Sequence, residues 1–582
     1  MDRVNLTINN RLVSAKKGST ILDAARENNI HIPTLCYLKE FTDGGACRVC
    51  MVEVSGARSL CAACVYPVSE GMIVNTNSAK AISARREVVE LIMSNHSKNC
   101  LSCLRNTNCE LQELAQNVGV RVDAFNGEHT KPSFDDLSDG IVRDTSKCVL
   151  CGRCVATCEK SQGLGVLSFI DRGFNTKLGP VFDKSLKDVN CIQCGQCINA
   201  CPTGALVEKE EIHEVITALN DPKKYVIVQT APAVRASLGE EFGMPVGTRV
   251  TGKMVNALKL IGFNKVFDTN FAADLTIMEE GTEFISRIKN GGRLPMITSC
   301  SPGWINYCEK EYPELLENLS TCKSPQMMMG AILKTYYAKE NGIDPSDIYV
   351  VSIMPCVAKK GEKSRKENLT NGLQDVDAVL TTRELGRLIK MYGINFKDLK
   401  DEQFDQDLCG EYSGAGVIFG VTGGVMEAAL RTVNELLTGK TFEQVDYLQV
   451  RGVEGLKEAV INVNGIDVNV AIAHSMSIAK PLLEDIKAGK SKYHFIEIMG
   501  CPGGCINGGG QSYISSNLKN ANINFKELRA KALYEEDELS TIRKSHENKQ
   551  IQSLYERYLI EPCGHISHDI LHTKYNQKER FK

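Results

Sequence analysis

A chain of 582 residues is too long for a single hydrophobic core, so several domains are expected. Its 43% hydrophobic and 24% charged residues and net charge of −3 are those of a globular protein, with no basic stretch for nucleic acid and no like-charge block for a disordered tail. No apolar run reaches the roughly 18 residues that a membrane span requires, and the opening "MDRVNLTINNRLVSAKKGST" lacks a signal peptide's apolar segment, so the reading is a cytoplasmic protein without membrane or nucleic-acid partners.

Residues 1–80 alternate as strands do in "VNLTINN", "VCMVEVSG" and "GMIVNTN", with a short helix at "TILDAARENN". Residues 81–125 carry helical periodicity interrupted by "HSKNCLSCLRNTNC", and a polar linker follows near 125–140. Residues 138–210 hold two cysteine runs of identical spacing, an internal repeat. From 220 to 525 apolar strands such as "KYVIVQT", "PMITS", "IYVVSIMP" and "FIEIMG" alternate with helical segments, the pattern of an α/β domain. A polar helical tail occupies 526–582.

The outlier is cysteine, at 24 residues. In a large chain with no signal peptide, cysteines point to metal or redox chemistry over disulfides. "CVLCGRCVATC" and "CIQCGQCINACP" are both C-x₂-C-x₂-C-x₃-C, a spacing that wraps three thiolates around one cubane and sends the fourth to its neighbour. One 4Fe–4S cluster would take Cys148, Cys151, Cys154 and Cys201, and the other Cys191, Cys194, Cys197 and Cys158. Gly152 and Gly195 suit backbone amides turned toward sulfide.

Nearer the N-terminus, Cys36, Cys47 and Cys50 with either Cys61 or Cys64 fit a 2Fe–2S site, and Cys64 is preferred. His96, Cys100, Cys103 and Cys109 could hold zinc on ligand type alone. Their position between two electron carriers favours a further 4Fe–4S cluster. Four clusters in series form an electron wire, which implies a redox enzyme at one end.

Beyond residue 220, three cysteine loops follow apolar strands: "TSCSPGW" (298–304), "MPCVAKKGE" (354–362) and "EIMGCPGGCINGGGQ" (497–511). Cysteines at strand ends in an α/β domain occupy the usual position of a site. The loops resemble the three signature motifs of the iron-only (FeFe) hydrogenases. The likeness extends over the whole chain, through "DLTIMEEGTE", "EYSGAGVIFGVTGGVMEAALR" and the "SHEN" tail.

The resemblance implies an α/β catalytic domain of two parallel or mixed-sheet lobes around an H-cluster, preceded by a β-grasp ferredoxin-like module and a two-cluster ferredoxin module. The tail at 526–582 is similar to a small subunit. The H-cluster is a 4Fe–4S cubane joined through one cysteine to a diiron unit bearing CO, CN⁻ and a dithiolate amine. The reaction implied is 2H⁺ + 2e⁻ ⇌ H₂. By the same resemblance Cys356, Cys501 and Cys505 match cubane ligands, Cys505 being the bridging one. Lys359 matches the lysine at a cyanide, and Ala231, Pro232, Gln326, Met354, Phe419 and Met499 match the surrounding pocket.

Glu280, Glu283 and Ser320 match the family's proton route. The first loop departs from the family's two adjacent cysteines. Aligned without a gap, Cys300 takes the relay place and Ser301 the ligand place; alternatively Cys300 is itself the ligand. Partners implied are ferredoxin, or flavoprotein and NAD(P)-reducing subunits of an electron-bifurcating complex, to whose loops "TSCSPGW" and "MGCPGGC" are the more similar, together with maturation proteins. A hydrogen sensor and an iron–sulfur scaffold are weaker alternatives. "GAGVIFG" lacks the glycine spacing and acidic residue of a dinucleotide loop. "CGHISHDILH" reads as a tail helix packed on the surface, with zinc binding the lesser alternative. Cys308, Cys322, Cys409 and the unassigned Cys61 read as core or free thiols.

Overall fold

The computed structural model describes residues 2–39, 41–42, 44–121, 124–441, 445–463, 466–514, 518 and 523–581. The chain forms two compact units, one comprising 1–189, 196–207 and 513–523, the other 190–195, 208–512 and 524–582.

The smaller unit opens with a five-stranded sheet in the order Arg11–Lys16, Arg3–Ile8, Ile73–Asn75, Met51–Val54, Cys61–Ala62. Val4, Leu6 and Ile8 turn inward by strand alternation and meet the buried face of helix Ile21–Glu27. That helix starts at Thr20, whose hydroxyl accepts from Asp23 N while the Asp23 carboxylate accepts from Thr20 N, a reciprocal cap. The result is the expected β-grasp module. Helices Ala79–Ser94 and Glu110–Val118 follow.

The cysteine repeat is also a backbone repeat. Leu150 and Gln193 have φ of 50° and 57°, and Gly152 and Gly195 have φ of 74° and 72°. Each run thus turns in the left-handed region twice before its helix, Arg153–Gln162 or Gln196–Ala200.

The larger unit is built on two four-stranded sheets. In one, Lys265–Asp268, Tyr225–Thr230, Ile348–Met354 and Ala378–Thr381 lie side by side and all parallel. In the other, Met296–Ile297, Phe495–Met499 and Ile466–His474 are parallel, and Lys457–Val463 closes the edge as an antiparallel hairpin strand. Parallel strands are covered on both faces, which explains near-continuous apolar runs such as "YVIVQT" and "FIEIM". "PMITS" supplies only two strand residues before the chain turns into its loop.

In "GAGVIFG", a Cβ on Gly416 would lie 2.7 Å from the Asn270 carbonyl oxygen, so this glycine permits close packing on the helix Asn270–Asn290. "CGHISHDILH" forms a tail helix, His565–Leu571, that packs by one face and leaves His565, His568 and Asp569 exposed. Ile570, Leu571 and His572 are buried, and the first two join the main hydrophobic core of this unit. The apolar residues of the helix His565–Leu571 recur at positions 566, 570 and 571, and that face is covered.

Candidate active site

The parallel strands of both sheets point their carboxyl ends at one region. Ala231 and Pro232 follow Tyr225–Thr230, Cys356 follows Ile348–Met354, Cys300 and Ser301 follow Met296–Ile297, and Cys501 follows Phe495–Met499. Such crevices collect ligands because several loops converge there without strand edges to satisfy. Here they enclose a cavity of about 90 Å³, lined by Ala231, Pro232, Cys300, Ser301, Gln326, Met354, Cys356, Lys359, Phe419, Met499, Cys501 and Cys505. Every residue expected from the sequence at the cubane or in the diiron pocket thus faces a single space.

Glycine sets how closely the loops approach. A Cβ on Gly508 would lie 2.0 Å from the Pro355 carbonyl oxygen, and one on Gly504 (φ 94°) would lie 2.6 Å from Thr422 N. The glycine loop is further clamped by Arg383, whose guanidinium donates to the carbonyls of Gly509 at 2.7 Å and Gln511 at 2.5 Å while pairing with Glu208. Gln511 donates to the carbonyls of Ala233 and Cys505.

The chemistry of the wall fits a metal–sulfur group. Burial pushes the Cys505 thiol up to about 12, and also raises Cys356, with Lys359 opposing in both cases. Burial drives the Cys300 thiol well above its ordinary range too, with the Glu280 charge adding to the rise. Thiols so placed become thiolates only against a bound cation. Gln326 Oε1 is buried without a partner while its Nε2 donates to Glu362 at 3.1 Å, leaving an acceptor to serve whatever occupies the cavity. Lys359 Nζ lies 2.8 Å from Glu362 and 3.2 Å from the Cys300 carbonyl oxygen, which fixes one cation beside the cysteines.

Cys300 and Ser301 face different neighbours. Ser301 Oγ accepts from Gly500 N at 3.1 Å, beside Cys501. The Cys300 thiol feels Glu280, Lys359 and Cys505.

Glu280, Glu283 and Ser320 stand outside the cavity wall, in a connected group behind Cys300. Glu280 is buried and its carboxyl is pushed up to about 8, chiefly by burial; the Ser320 hydrogen bond opposes the shift and the Glu283 charge adds to it. Ser320 Oγ lies 3.4 Å from Glu283 Oε2. Arg287 grips Glu283 Oε1 at 2.5 and 3.1 Å.

In the smaller unit, Cys36 N and Cys47 N each point at the other's sulfur, at 3.4 and 3.5 Å. Hydrogen bonds from Cys36 and Cys64 respectively draw the Cys47 and Cys50 thiols down, so four thiols meet here. Cys61 instead turns its thiol to the Ser59 carbonyl. His96 is buried, its ring bonds the Lys147 backbone carbonyl, and Nδ1 has no partner. Burial, helped by Lys147, lowers the ring to about 4, leaving a neutral imidazole with one free lone pair, the state of a metal ligand. Near it, Cys103 Sγ occupies the space of a Gly204 Cβ, 2.5 Å away.

Cys148, Cys151, Cys154 and Cys201 line one small hollow. Within the larger unit, Cys501 Sγ donates to the Cys194 carbonyl at 3.7 Å, and a Cβ on Gly509 would lie 2.4 Å from that same oxygen. The loop of the second cysteine run therefore touches the loop of the candidate cubane.

Sequence reasoning missed Thr269, Ala273, Pro302 and Pro325 on the cavity wall. It also missed Glu362, although the i,i+3 spacing from Lys359 in "MPCVAKKGE" carried that signal. Arg383 and Thr321 had no local signal, because their partners are far away in the chain.

Over residues 224–509 the chain matches the family described as iron only hydrogenase large subunit, C-terminal domain. Residues 1–79 match a 2Fe–2S iron–sulfur cluster binding domain, 85–123 the NADH-ubiquinone oxidoreductase-G iron–sulfur binding region, 147–205 a 4Fe–4S dicluster domain, and 523–578 the iron hydrogenase small subunit. The NADP-reducing hydrogenase subunit HndD of Solidesulfovibrio fructosivorans is 48% identical over 592 residues, covering 100% of each chain. Iron hydrogenase 1 of Clostridium pasteurianum is 43% identical, covering 98% of this chain and 100% of that one. A solved variant of the FeFe hydrogenase HydA1 from Chlamydomonas reinhardtii superposes with a TM-score of 0.56 at 40% identity, covering 63% of this chain and 99% of its own. Among the described residues no helix is long and apolar enough to cross a membrane. The chain belongs to the iron-only (FeFe) hydrogenases, enzymes of the H-cluster, and carries accessory 2Fe–2S and 4Fe–4S modules ahead of its catalytic domain.

Proposed function

We propose that this hydrogenase interconverts 2H⁺ + 2e⁻ and H₂ at an H-cluster held by Cys356, Cys501, Cys505 and the first loop, with Ser301 in the ligand place and Cys300 as the first proton relay. The observation that carries the reading is the convergence of twelve sequence-nominated side chains on one cavity at the strand ends. The bound cofactor supplies the electron-rich iron at which protons and electrons combine. The chain's own residues exclude water with Met354, Phe419 and Met499, and fix a positive charge at Lys359. They take protons through Cys300, Glu280, Ser320 and Glu283. Ser301 in the ligand place is supported by its contact with Gly500, and Cys300 in the relay place by its proximity to Glu280.

Four accessory clusters complete the wire: one 2Fe–2S at Cys36, Cys47, Cys50 and Cys64, and three 4Fe–4S. Of these three, one uses His96, Cys100, Cys103 and Cys109. His96→Ala is expected to remove about four iron atoms per chain and one reduced-cluster signal in electron paramagnetic resonance, leaving the others in place. An unchanged iron count would exclude His96 as a ligand.

Electrons would reach the wire from NAD(P)-reducing partner subunits in the cytoplasm, as the full-length likeness to an NADP-reducing hydrogenase subunit and the NADH-G type region support. Exchange with ferredoxin is the second reading, supported by the likeness to a clostridial iron hydrogenase. Purification from native cells separates them, since a co-purifying flavoprotein that restores H₂-dependent NAD(P)⁺ reduction is expected on the first reading only.

Infrared spectroscopy of the matured enzyme tests the centre itself, and bands of iron-bound CO and CN⁻ are expected. A hydroxyl is a poorer ligand for iron than a thiolate. Even outer partners of a metal site shift affinity by roughly 10–100-fold, so Ser301→Cys is expected to slow loss of cubane iron to a chelator by about tenfold or more. Equal rates would place the fourth ligand at Cys300.

A further inference from the structure

We infer that Arg105 sets the reduction potential of the two accessory cluster sites it touches, favouring the reduced form of both. The inference rests on the ligand sets proposed above, Cys148, Cys151, Cys154 and Cys201 for one site and His96, Cys100, Cys103 and Cys109 for the other. It adds to them a residue that ligates neither. All the groups involved lie in the smaller unit.

The loop between Cys103 and Cys109 folds around the Arg105 side chain. Nε donates to the Asn108 carbonyl at 2.7 Å, and Asn108 N returns a bond to the Arg105 carbonyl at 3.0 Å. The guanidinium then reaches beyond its own loop. Nη1 donates to the Cys201 carbonyl at 3.3 Å, and the guanidinium carbon stands 3.6 Å from the centre of the Tyr513 ring. Arg105 is 2% exposed, so little water screens its charge. The two sites meet again at the next residue, where the Pro202 carbonyl accepts from Glu110 N at 3.0 Å and lies 3.7 Å from Cys109 Sγ. A Cβ on Gly204 would lie 2.5 Å from Cys103 Sγ and 3.7 Å from Arg105 Cγ. A ligand loop of each site is thus pressed against the other, with the guanidinium in the seam.

Other cations stand near these cysteines, and each is answered by a carboxylate. Arg143 pairs with Asp183 at 2.9 Å, Lys147 with Asp144 at 3.0 Å and Arg153 with Glu110 at 2.8 Å. Arg105 has carbonyl oxygens and an aromatic face instead, and among the described residues no carboxylate pairs with it. A paired cation presents a dipole whose field dies away quickly, whereas an unpaired one acts with its full charge. The Tyr513 ring attracts the guanidinium without cancelling that charge. A guanidinium keeps its proton in a protein, so the charge is permanent.

A cluster gains one negative charge when it takes an electron and loses it when the electron moves on. A fixed positive charge beside a ligand stabilises the more negative form and so raises the potential. Arg105 touches no substrate and acts only through the clusters. Its effect is to make these two sites a place where electrons collect before they pass to the next carrier.

The test is a redox titration, followed by electron paramagnetic resonance, of the full chain with its accessory clusters and without the diiron unit. Arg105→Gln removes the charge and keeps a donor, and Arg105→Lys keeps the charge and loses the planar fork. In Arg105→Gln the reduced-to-oxidised ratio of two signals at a fixed potential is expected to fall about tenfold, which is about 59 mV for one electron. Arg105→Lys should stay within about threefold of the parent, and the other signals should not move in either variant. Both variants lose the fork and the stacked plane, so the difference between them isolates the charge. Equal midpoints in Arg105→Gln and Arg105→Lys would overturn the inference. So would loss of cluster iron in both, which would make Arg105 a packing residue alone. His96→Ala identifies one of the two signals by removing it. An unchanged iron count in that variant would instead sink the proposed His96 site, and the signal of the Cys201 site would still judge Arg105.

Discussion

Glu280→Gln is expected to lower H₂ evolution by about 10²–10⁴-fold, the range lost with a positioned acid–base group. The amide keeps the carboxyl's size but cannot accept and release a proton in turn. Glu280 is suited to that task because burial pushes it up to about 8, near the pH at which a carrier must both bind and give up a proton. Below about 8 the parent's carboxyl is protonated and ready to donate, and above that it is ionised. The parent's rate of H₂ evolution should therefore fall as pH rises through this range, and the variant's small residual rate should lose that inflection.

The same shift makes a stability statement. A carboxyl with a folded-state pKa above its unfolded value binds more protons when folded, so stability falls as pH rises from the unfolded value, about 4.3, toward the folded one. Glutamine has no such dependence. Thermal unfolding of the chain lacking the diiron unit should show Glu280→Gln gaining on the parent between about pH 5 and 8. A variant with parent-like turnover, or with no gain in relative stability across that window, would remove Glu280 from the relay.

Gly508→Ala is expected to abolish assembly of the catalytic cluster while leaving the accessory clusters intact. The added Cβ would lie 2.0 Å from the Pro355 carbonyl oxygen and 3.1 Å from the Cys505 carbonyl oxygen. Both contacts are to backbone, which cannot swing aside as a flexible side chain would. Pro355 immediately precedes Cys356, and Gly508 lies three residues beyond Cys505. Relief of the clash must therefore shift Cys356 relative to Cys505. Overpacking of this kind costs about 1–3 kcal/mol, which a domain of this size survives as a fold. A misplacement near 1 Å at a metal site is less forgiving. Iron analysis and infrared spectra of Gly508→Ala after maturation should show loss of the CO and CN⁻ bands with the accessory signals retained. Normal bands would mean that the two loops have slack the structure does not display.

Much of this protein was legible in its sequence because its chemistry depends on residue type and short spacing. A C-x₂-C-x₂-C-x₃-C run can be recognised locally, and its repetition carried through to matched left-handed residues at 150 and 193 and at 152 and 195. The alternation in "VNLTINN" and the continuous apolar run in "YVIVQT" reported which faces are covered, so strand type followed. The apolar periodicity at 566, 570 and 571 carried the same signal for the tail. Burial depends on what arrives from elsewhere in the chain.

Residue order alone set the inventory: the thiols, the imidazole, the glycine loops and the succession of modules. Local backbone geometry and ligand chemistry are properties of neighbours in the chain. Folding in three dimensions settled which of those groups share a space and what each is pressed against. Cys64 meets Cys50 while Cys61 turns away, Ser301 and Cys300 face different neighbours, and His572 reaches Thr321 across 251 positions of chain. Burial sets the protonation of Glu280 and of the cavity thiols. It is the summed effect of strands and helices distant in sequence, and no spacing rule along the chain encodes it.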